Sequence, residues 1–208
     1  MPISYNLIAG KNLDRLTALS DGVFAVAMTL LVLDLHAPVA AAIHSEGDLL
    51  HALAALSPRL LTYLLSFMTL GIFWMGQQAQ FNLLQRSDRD LGWVHIAFLA
   101  AVSLIPFSTA LLAEFIRYKA ALILYWLNIL ILGLLLLAAW CVVRRRGLLK
   151  PDVPAEVNGA IVRRIVWAQA LYAFGAALCV FDNWWSIAFI ISVQLGFATA
   201  FPLRPFKG

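Results

Sequence analysis

Apolar residues run along this chain in stretches of about twenty, each bounded by charges, prolines or polar clusters, and do not alternate with polar ones. A hydrocarbon layer of roughly 30 Å takes about 20 residues of helix to cross. Six runs therefore predict membrane-spanning helices at Leu13 to Leu35, Leu60 to Phe81, Leu91 to Ala113, Ala120 to Val143, Val162 to Phe181 and Trp184 to Phe201. Arg163 and Arg164 interrupt the start of the fifth, and only Asp182-Asn183 separates it from the sixth, so this pair is expected as two short antiparallel helices. Ser57-Pro58 opens the second helix, where Pro is tolerated in a first turn. Pro106 lies inside the third span, where it removes a backbone bond; a kink is expected near Ser108 and Thr109, whose hydroxyls would take up the freed carbonyls. The longest connections, about residues 36–57 and 144–160, are too short for an independent domain and read as solvated loops. Residues 1–208 thus form one all-helical membrane domain.

Composition agrees. The chain is 62% hydrophobic and 12% charged, against about 45–50% and about 25% in soluble domains. So few polar residues cannot cover the apolar surface of a water-soluble globule, and disordered or fibrous classes are excluded as well. Cys141 and Cys179 both lie inside apolar runs and read as packing residues, not a disulfide framework. The N-terminal MPISYNLIAGKNLDRL lacks the order of a secretory signal peptide, so the first run is expected to be a retained helix.

The net charge of +4 reads as topology, not as a nucleic-acid surface. The N-terminus, second loop, fourth loop and C-terminus hold Lys11, Arg15, Arg86, Arg89, Arg144, Arg145, Arg146, Lys150, Arg163, Arg164, Arg204 and Lys207, against Arg59, Arg117 and Lys119 on the other side. The positive-inside rule then puts both termini in the cytoplasm and supports an even number of spans. Arg144-Arg145-Arg146 anchors the fourth helix at the inner surface, and Trp93, Trp184 and Trp185 suit membrane interfaces in any such protein.

Charged groups inside spans are costly, and here they gather in the first one: Arg15, Ser20 and Asp21 in its inner half, Thr29 deeper and Asp34 at its outer end. Arg15 and Asp21 are six residues apart, about 600° of turn at about 100° per residue, so they face different ways. Asp21 is therefore expected to meet a partner on another helix. Beyond it, Val26, Thr29, Leu30 and Leu33 fall at i, i+3, i+4 and i+7 and form one stripe, extended toward the cytoplasm by Gly22. Periodicity alone leaves this stripe open between lipid, packing and pore.

The run Arg15-x-x-x-Leu19-Ser20-Asp21-Gly22-Val23-Phe24-Ala25-Val26-Ala27-Met28-Thr29-Leu30-Leu31-Val32-Leu33 resembles the first-helix signature of the prokaryotic transmembrane protein 175 family of potassium-permeable channels. Leu104-Ile105-Pro106-Phe107-Ser108-Thr109-Ala110-Leu111-Leu112-Ala113-Glu114 resembles the end of that family's third helix, and Phe73-Trp74 is a weaker match on the second. The resemblance implies a homotetramer of six-helix subunits whose first helices line a central pore, passing potassium and other monovalent cations without a cofactor. It puts the apolar constriction at Val26, a hydroxyl ring able to hold a cation transiently at Thr29, and the outer wall at Leu30 and Leu33. Arg15 and Asp21 are then structural locks near the inner mouth, in a polar network expected to include Ser20, Gln77 and His95, the last an interhelical hydrogen-bonding residue on the same membrane side as Asp21. Two departures stand out. Leu19 replaces the family's usual Phe, and Gln77-Gln78 stand where relatives often carry a His after the Trp, which removes a titratable group. Val26 is smaller than the family's Ile or Leu, from which a wider, more easily wetted constriction and weaker discrimination against sodium are expected. A chain of this kind suits a bacterial inner membrane.

Two other classes compete. A proton- or cation-coupled secondary transporter could use Asp21, Glu114 and Asp182 as intramembrane carboxylates, although no internal repeat is visible. An enzyme is not expected, since the chain has no GxSxG or HExxH motif and no aligned carboxylate pair. The outer segment with His36, His44, His51, Asp34, Glu46 and Asp48 matches no metal-ligand spacing.

Overall fold

A computed structural model describes residues 12–199. The described residues form eight α-helices: α1 (Leu13–Leu30), α2 (Glu46–Ala55), α3 (Ser57–Phe81), α4 (Arg89–Ser103), α5 (Ile105–Glu114), α6 (Lys119–Arg146), α7 (Glu156–Ala177) and α8 (Asn183–Thr199). Among the described residues the only β pairing is an isolated antiparallel bridge between Leu84 and Leu149. Five helical segments are long and apolar enough to cross a membrane: Leu13–Asp34, Ser57–Phe81, Arg89–Glu114, Lys119–Arg146 and Glu156–Val180. The sixth predicted span corresponds to a shorter apolar helix at Asn183–Ala198, and its expected end at Phe201, like Lys11, Arg204 and Lys207, lies outside the described residues.

Local chemistry sets the boundaries. Asn12 caps α1, its Oδ1 accepting from the Arg15 N–H at 3.1 Å. Gly147, at φ +61°, ends α6 in the left-handed conformation that only Gly adopts without strain, and the Leu148 N–H returns to the Val143 carbonyl. α7 begins at Glu156, six residues before the expected start, so Arg163 and Arg164 lie within the helix and not ahead of it.

Two expectations about local structure are corrected. The connection between the first and second spans is not all loop, because α2 forms there behind a reciprocal cap: Ser45 Oγ accepts from the Asp48 N–H, and Asp48 Oδ2 accepts from the His44 N–H, both at 3.1 Å. The third span breaks at Leu104, as Pro106 requires, but the freed groups are met differently. The Ser108 and Thr109 hydroxyl oxygens lie 3.0 Å and 2.7 Å from the Ile105 carbonyl. The Leu104 N–H turns back to Ala101 and Val102. Oriented so that each atom meets its complement, the Asn128 amide of α6 donates to the Ala101 carbonyl and accepts from the Ile105 N–H and Ser108 Oγ.

Lipid tails are as apolar as Leu, so tight packing and interhelical hydrogen bonds, not transfer out of water, hold such helices together. Phe24 of α1, Phe73 of α3 and Phe98 of α4 meet with ring centroids 6.0 Å and 6.4 Å from Phe98. Deeper in the bundle, the fully buried Tyr125 hydroxyl joins Ser66 and Thr69 of α3; Thr109 of α5 donates to Ser66 at 2.6 Å, and Gln194 of α8 to Thr69 at 2.6 Å. α7 and α8 pack closely at Gly175, where a Cβ would press on Ile190 and Phe189.

The two ends of the bundle are each tied. At one end the second and fourth loops are stitched by Gln85 N–H to Leu148, Lys150 N–H to Leu83, and Arg146 to Asp88 and Asp90. At the other, Arg59 joins Asp34 and Glu114, while Lys119 Nζ reaches the Val180 carbonyl. This is the loop grouping that the lysine and arginine distribution required.

Candidate functional site

α1 has two faces of opposite character. Ser20, Phe24, Ala27 and Leu31, spaced i, i+4, i+7 and i+11, are buried against α3 and α4. Val26, Leu30 and Leu33 on the other side are 57%, 44% and 67% exposed, and Thr29 is exposed with them. A helix packed in a bundle with an open apolar face must present that face to lipid or to another chain. The stripe continues inward through Gly22 and Leu19 to Arg15, eleven residues before Val26 and so within about 20° of it on the helix. Thr29 Oγ1 donates to the Val26 carbonyl at 2.9 Å, which leaves its lone pairs directed away from its own helix. Beside the stripe, Gly22, Val26, Ala27 and Leu30 form an apolar groove edged by Ser103 of α4.

The N-terminal half of α1 is fastened to the bundle by two polar sets. In the first, Ser20 Oγ donates to Gln77 Oε1 at 2.6 Å, and Gln77 Nε2 lies 3.1 Å from His95 Nε2. All three side chains are buried, and the His95 ring lies against those of Phe81 and Phe98. In the second, Asp21 Oδ1 accepts from Trp74 Nε1 at 2.8 Å and from Gln78 Nε2 at 2.9 Å. α1, α3 and α4 are thereby pinned at one level.

The structure thus brings Ser20, Gln77 and His95 together and gives Asp21 its partners on another helix. Arg15 stands apart: its backbone N–H bonds Asn12, but its guanidinium reaches none of these groups and its side chain is exposed. Trp74 and Gln78 are the partners that sequence reasoning did not assign. Their i, i+4 spacing on α3 marks one face, but which residue of α1 stands opposite is a matter of interhelical register. Also unassigned was the face shared by Asp14, Thr17 and Asp21, seven residues from first to last, which borders an open polar vestibule with Gln78, Asn82, Gln85 and Lys150.

The carboxylates that could have served a coupled transporter have structural partners. Glu114 pairs with Arg59, and Asp182 Oδ1 accepts from the Trp184 N–H at 2.7 Å at the start of α8. In the outer segment His36, His44 and His51 are exposed, and no metal-binding cluster forms among the described residues.

Comparisons with known proteins converge on one family. Residues 15–106 match the model described as the endosomal/lysosomal potassium channel TMEM175. The chain is 37% identical to a potassium channel of Streptomyces collinus over 148 residues, 68% of this chain and 70% of that one. It is 30% identical over 189 residues to a potassium channel of Chamaesiphon minutus, 88% of this chain and 92% of the relative. Against the mouse endosomal/lysosomal proton channel TMEM175 it is 32% identical over 121 residues, which is 56% of this chain but 24% of that protein. The fold superimposes with a TM-score of 0.76 and 27% identity on the crystal structure of a lysosomal potassium-selective channel TMEM175 homologue from Chamaesiphon minutus, covering 90% of this chain and 97% of that one. Similarity to the bacterial relatives runs through nearly the whole bundle, first helix included, and the chain belongs to the TMEM175 family of ion channels, which are not enzymes.

Proposed function

We propose that this chain is a potassium-permeable cation channel: a homotetramer of six-span subunits in a bacterial inner membrane, with both termini cytoplasmic and the first helices around a central pore. The observation that carries this reading is the two-faced α1, pinned to its own bundle through Ser20, Asp21 and Phe24 while Val26, Thr29, Leu30 and Leu33 stay open. Val26 forms the apolar constriction, which gates by wetting and dewetting, and Thr29 gives a ring of hydroxyl oxygens that holds a partly dehydrated potassium ion briefly. Leu30 and Leu33 continue the wall outward. The Ser20–Gln77–His95 and Asp21–Trp74–Gln78 sets are structural locks. Arg15 shares the open stripe, so it acts between subunits at the inner mouth and not within one subunit. The vestibule with Asp14 and Asp21 raises the local cation concentration there. The partners are other copies of the chain, membrane lipids and monovalent cations; no resident cofactor or nucleic acid takes part.

Val26 gives a wider constriction than Ile or Leu, so the channel passes sodium more readily than a relative with the larger side chain. The test is single-channel recording of purified protein in a planar bilayer with potassium on one side and sodium on the other. Discrete current steps, a reversal potential favouring potassium, and a change in either on substituting Val26 or Thr29 are expected. Saturable, slow ion uptake into liposomes with no current steps would replace this reading with that of a coupled transporter.

A further inference from the structure

A cavity of about 80 Å³ lies inside the subunit, away from α1, between α3, α6 and α7. Its walls are apolar, formed by Phe73 and Gly76 of α3, Leu136 of α6, and Ile165 and Ala168 of α7. Its lining also holds four polar side chains: Gln80, whose amide donates to the Leu136 carbonyl, Arg164 at the mouth, Gln169 and Tyr172. The buried Oε1 of Gln169 makes no hydrogen bond among the described residues, nor does the hydroxyl of Tyr172, a residue 1% exposed, although the Gln194 amide of α8 stands beside it. One is a donor and acceptor, the other an acceptor. Buried polar atoms are rarely left unpaired, because each unmade bond costs stability. At the mouth, Ile72, Arg164 and Phe197 line both this cavity and a groove with Phe67, Met68 and Met75 on the outer side of α3. The cavity and the groove therefore adjoin at these three residues.

We propose that this cavity binds a neutral, hydroxyl-bearing hydrophobe taken up from the membrane, of the class of a long-chain primary alcohol. The ligand hydroxyl donates to Gln169 Oε1 and accepts from the Tyr172 hydroxyl. The carbons next to it fill the space beside Phe73, Gly76 and Ala168. The cavity admits only a few carbons, so the rest of the chain leaves past Ile72 along the groove. A hydrocarbon of equal length leaves both polar atoms unpaired and gains nothing over lipid, whose tails are equally apolar. This site is independent of the pore proposed on α1, and its test needs no current.

The experiment is photolabelling of the purified protein in lipid nanodiscs with 1-octanol carrying a diazirine at its third carbon, mapped by mass spectrometry. Label is expected on Phe73, Gly76 and Ala168, at least ten-fold lower in Ala168→Trp, which fills the space. It is expected at least three-fold lower in Tyr172→Phe, which removes only the hydroxyl. Gly133→Ala is the second filling variant, since a Cβ there meets the Gln169 amide and drives it toward the cavity. Each variant is compared at the elution volume of the unaltered protein. The octane analogue, lacking the hydroxyl, is expected to label lipid-facing Trp167 and Phe174 and not the cavity. Uniform labelling along α7, label unchanged by both filling variants, or equal cavity labelling by the two probes would overturn the proposal.

Discussion

Gln77→Leu tests the attachment of α1 to its bundle. Gln77 is 2% exposed and makes two interhelical bonds, accepting from Ser20 at 2.6 Å and facing His95 at 3.1 Å. Leu has nearly the same volume, so the substitution removes hydrogen bonding while leaving little cavity. Interhelical side-chain bonds in membrane proteins average about 0.6 kcal/mol and reach about 1.7 kcal/mol. The two losses are unequal. The freed Ser20 hydroxyl can turn to a carbonyl of its own helix, whereas the His95 ring, enclosed by Phe81 and Phe98, has no other partner among the described residues. A buried polar group left unpaired costs about 1–3 kcal/mol. Gln77→Leu is therefore expected to cost about 2–4 kcal/mol, and Ser20→Ala about 1 kcal/mol, because Gln77 then keeps His95. Unfolding of the purified protein in mixed micelles by increasing dodecyl sulfate, followed by circular dichroism, measures both. The reasoning is refuted if Gln77→Leu lies within about 0.5 kcal/mol of the unaltered protein, or if Ser20→Ala costs as much as Gln77→Leu.

Val26→Phe is expected to lower unitary conductance several-fold by narrowing the constriction; an unchanged current would remove Val26 from the ion path. Asp21→Asn retains the oxygen that accepts from Trp74 and Gln78 and is expected to assemble normally, whereas Asp21→Ala loses both bonds and yields less tetramer on size-exclusion chromatography. Arg15→Ala is expected to lower tetramer yield without destabilising the subunit, since its guanidinium bonds nothing among the described residues; the two chromatographic and unfolding readouts separate these effects. Asn128→Leu strips the amide from the Pro106 break, leaving the Ile105 N–H unmet and the Ala101 carbonyl with the Leu104 N–H alone, and is expected to cost about 1–3 kcal/mol in the same unfolding assay. Hydrogen bonds from the His44 N–H and from Ser45 hold the Asp48 carboxyl below the usual carboxylate range. Its contribution to α2 is therefore complete above the unfolded value of about 3.9 and fades as pH falls through the lowered folded value. A carbon-13 titration of Asp48 is expected to give a midpoint below that value, moved upward by Ser45→Ala.

The segment Ser45-Glu46-Gly47-Asp48 ahead of Leu49 and Leu50 carried a readable helix start, S-x-x-D before an apolar run, yet a membrane-length window passes over a helix of ten residues. The early start of α7 was hidden for a related reason. Arg163 and Arg164 depress any hydropathy window, although arginines near a helix end extend along its side and leave the backbone bonds intact. The break at Leu104 was legible from Pro106, but its repair by Asn128 lies 22 residues further along, on α6, where no local pattern points.

The sequence by itself determined five of the six expected spans, the grouping of loops at two ends, the Val26 to Leu33 stripe and the concentration of polar residues on the first helix. These follow from bilayer thickness, helical period and the cost of charge in hydrocarbon, all properties of consecutive residues. Family membership was legible too, because its motif is continuous along one helix. Tertiary structure decided which face of α1 is buried and which residues meet it: Gln77 opposite Ser20, Trp74 and Gln78 opposite Asp21, and Arg15 turned away onto the open face. Only packing could decide this, since periodicity fixes angles around a single helix axis, whereas register between helices depends on how Phe24, Phe73 and Phe98 interlock across three of them.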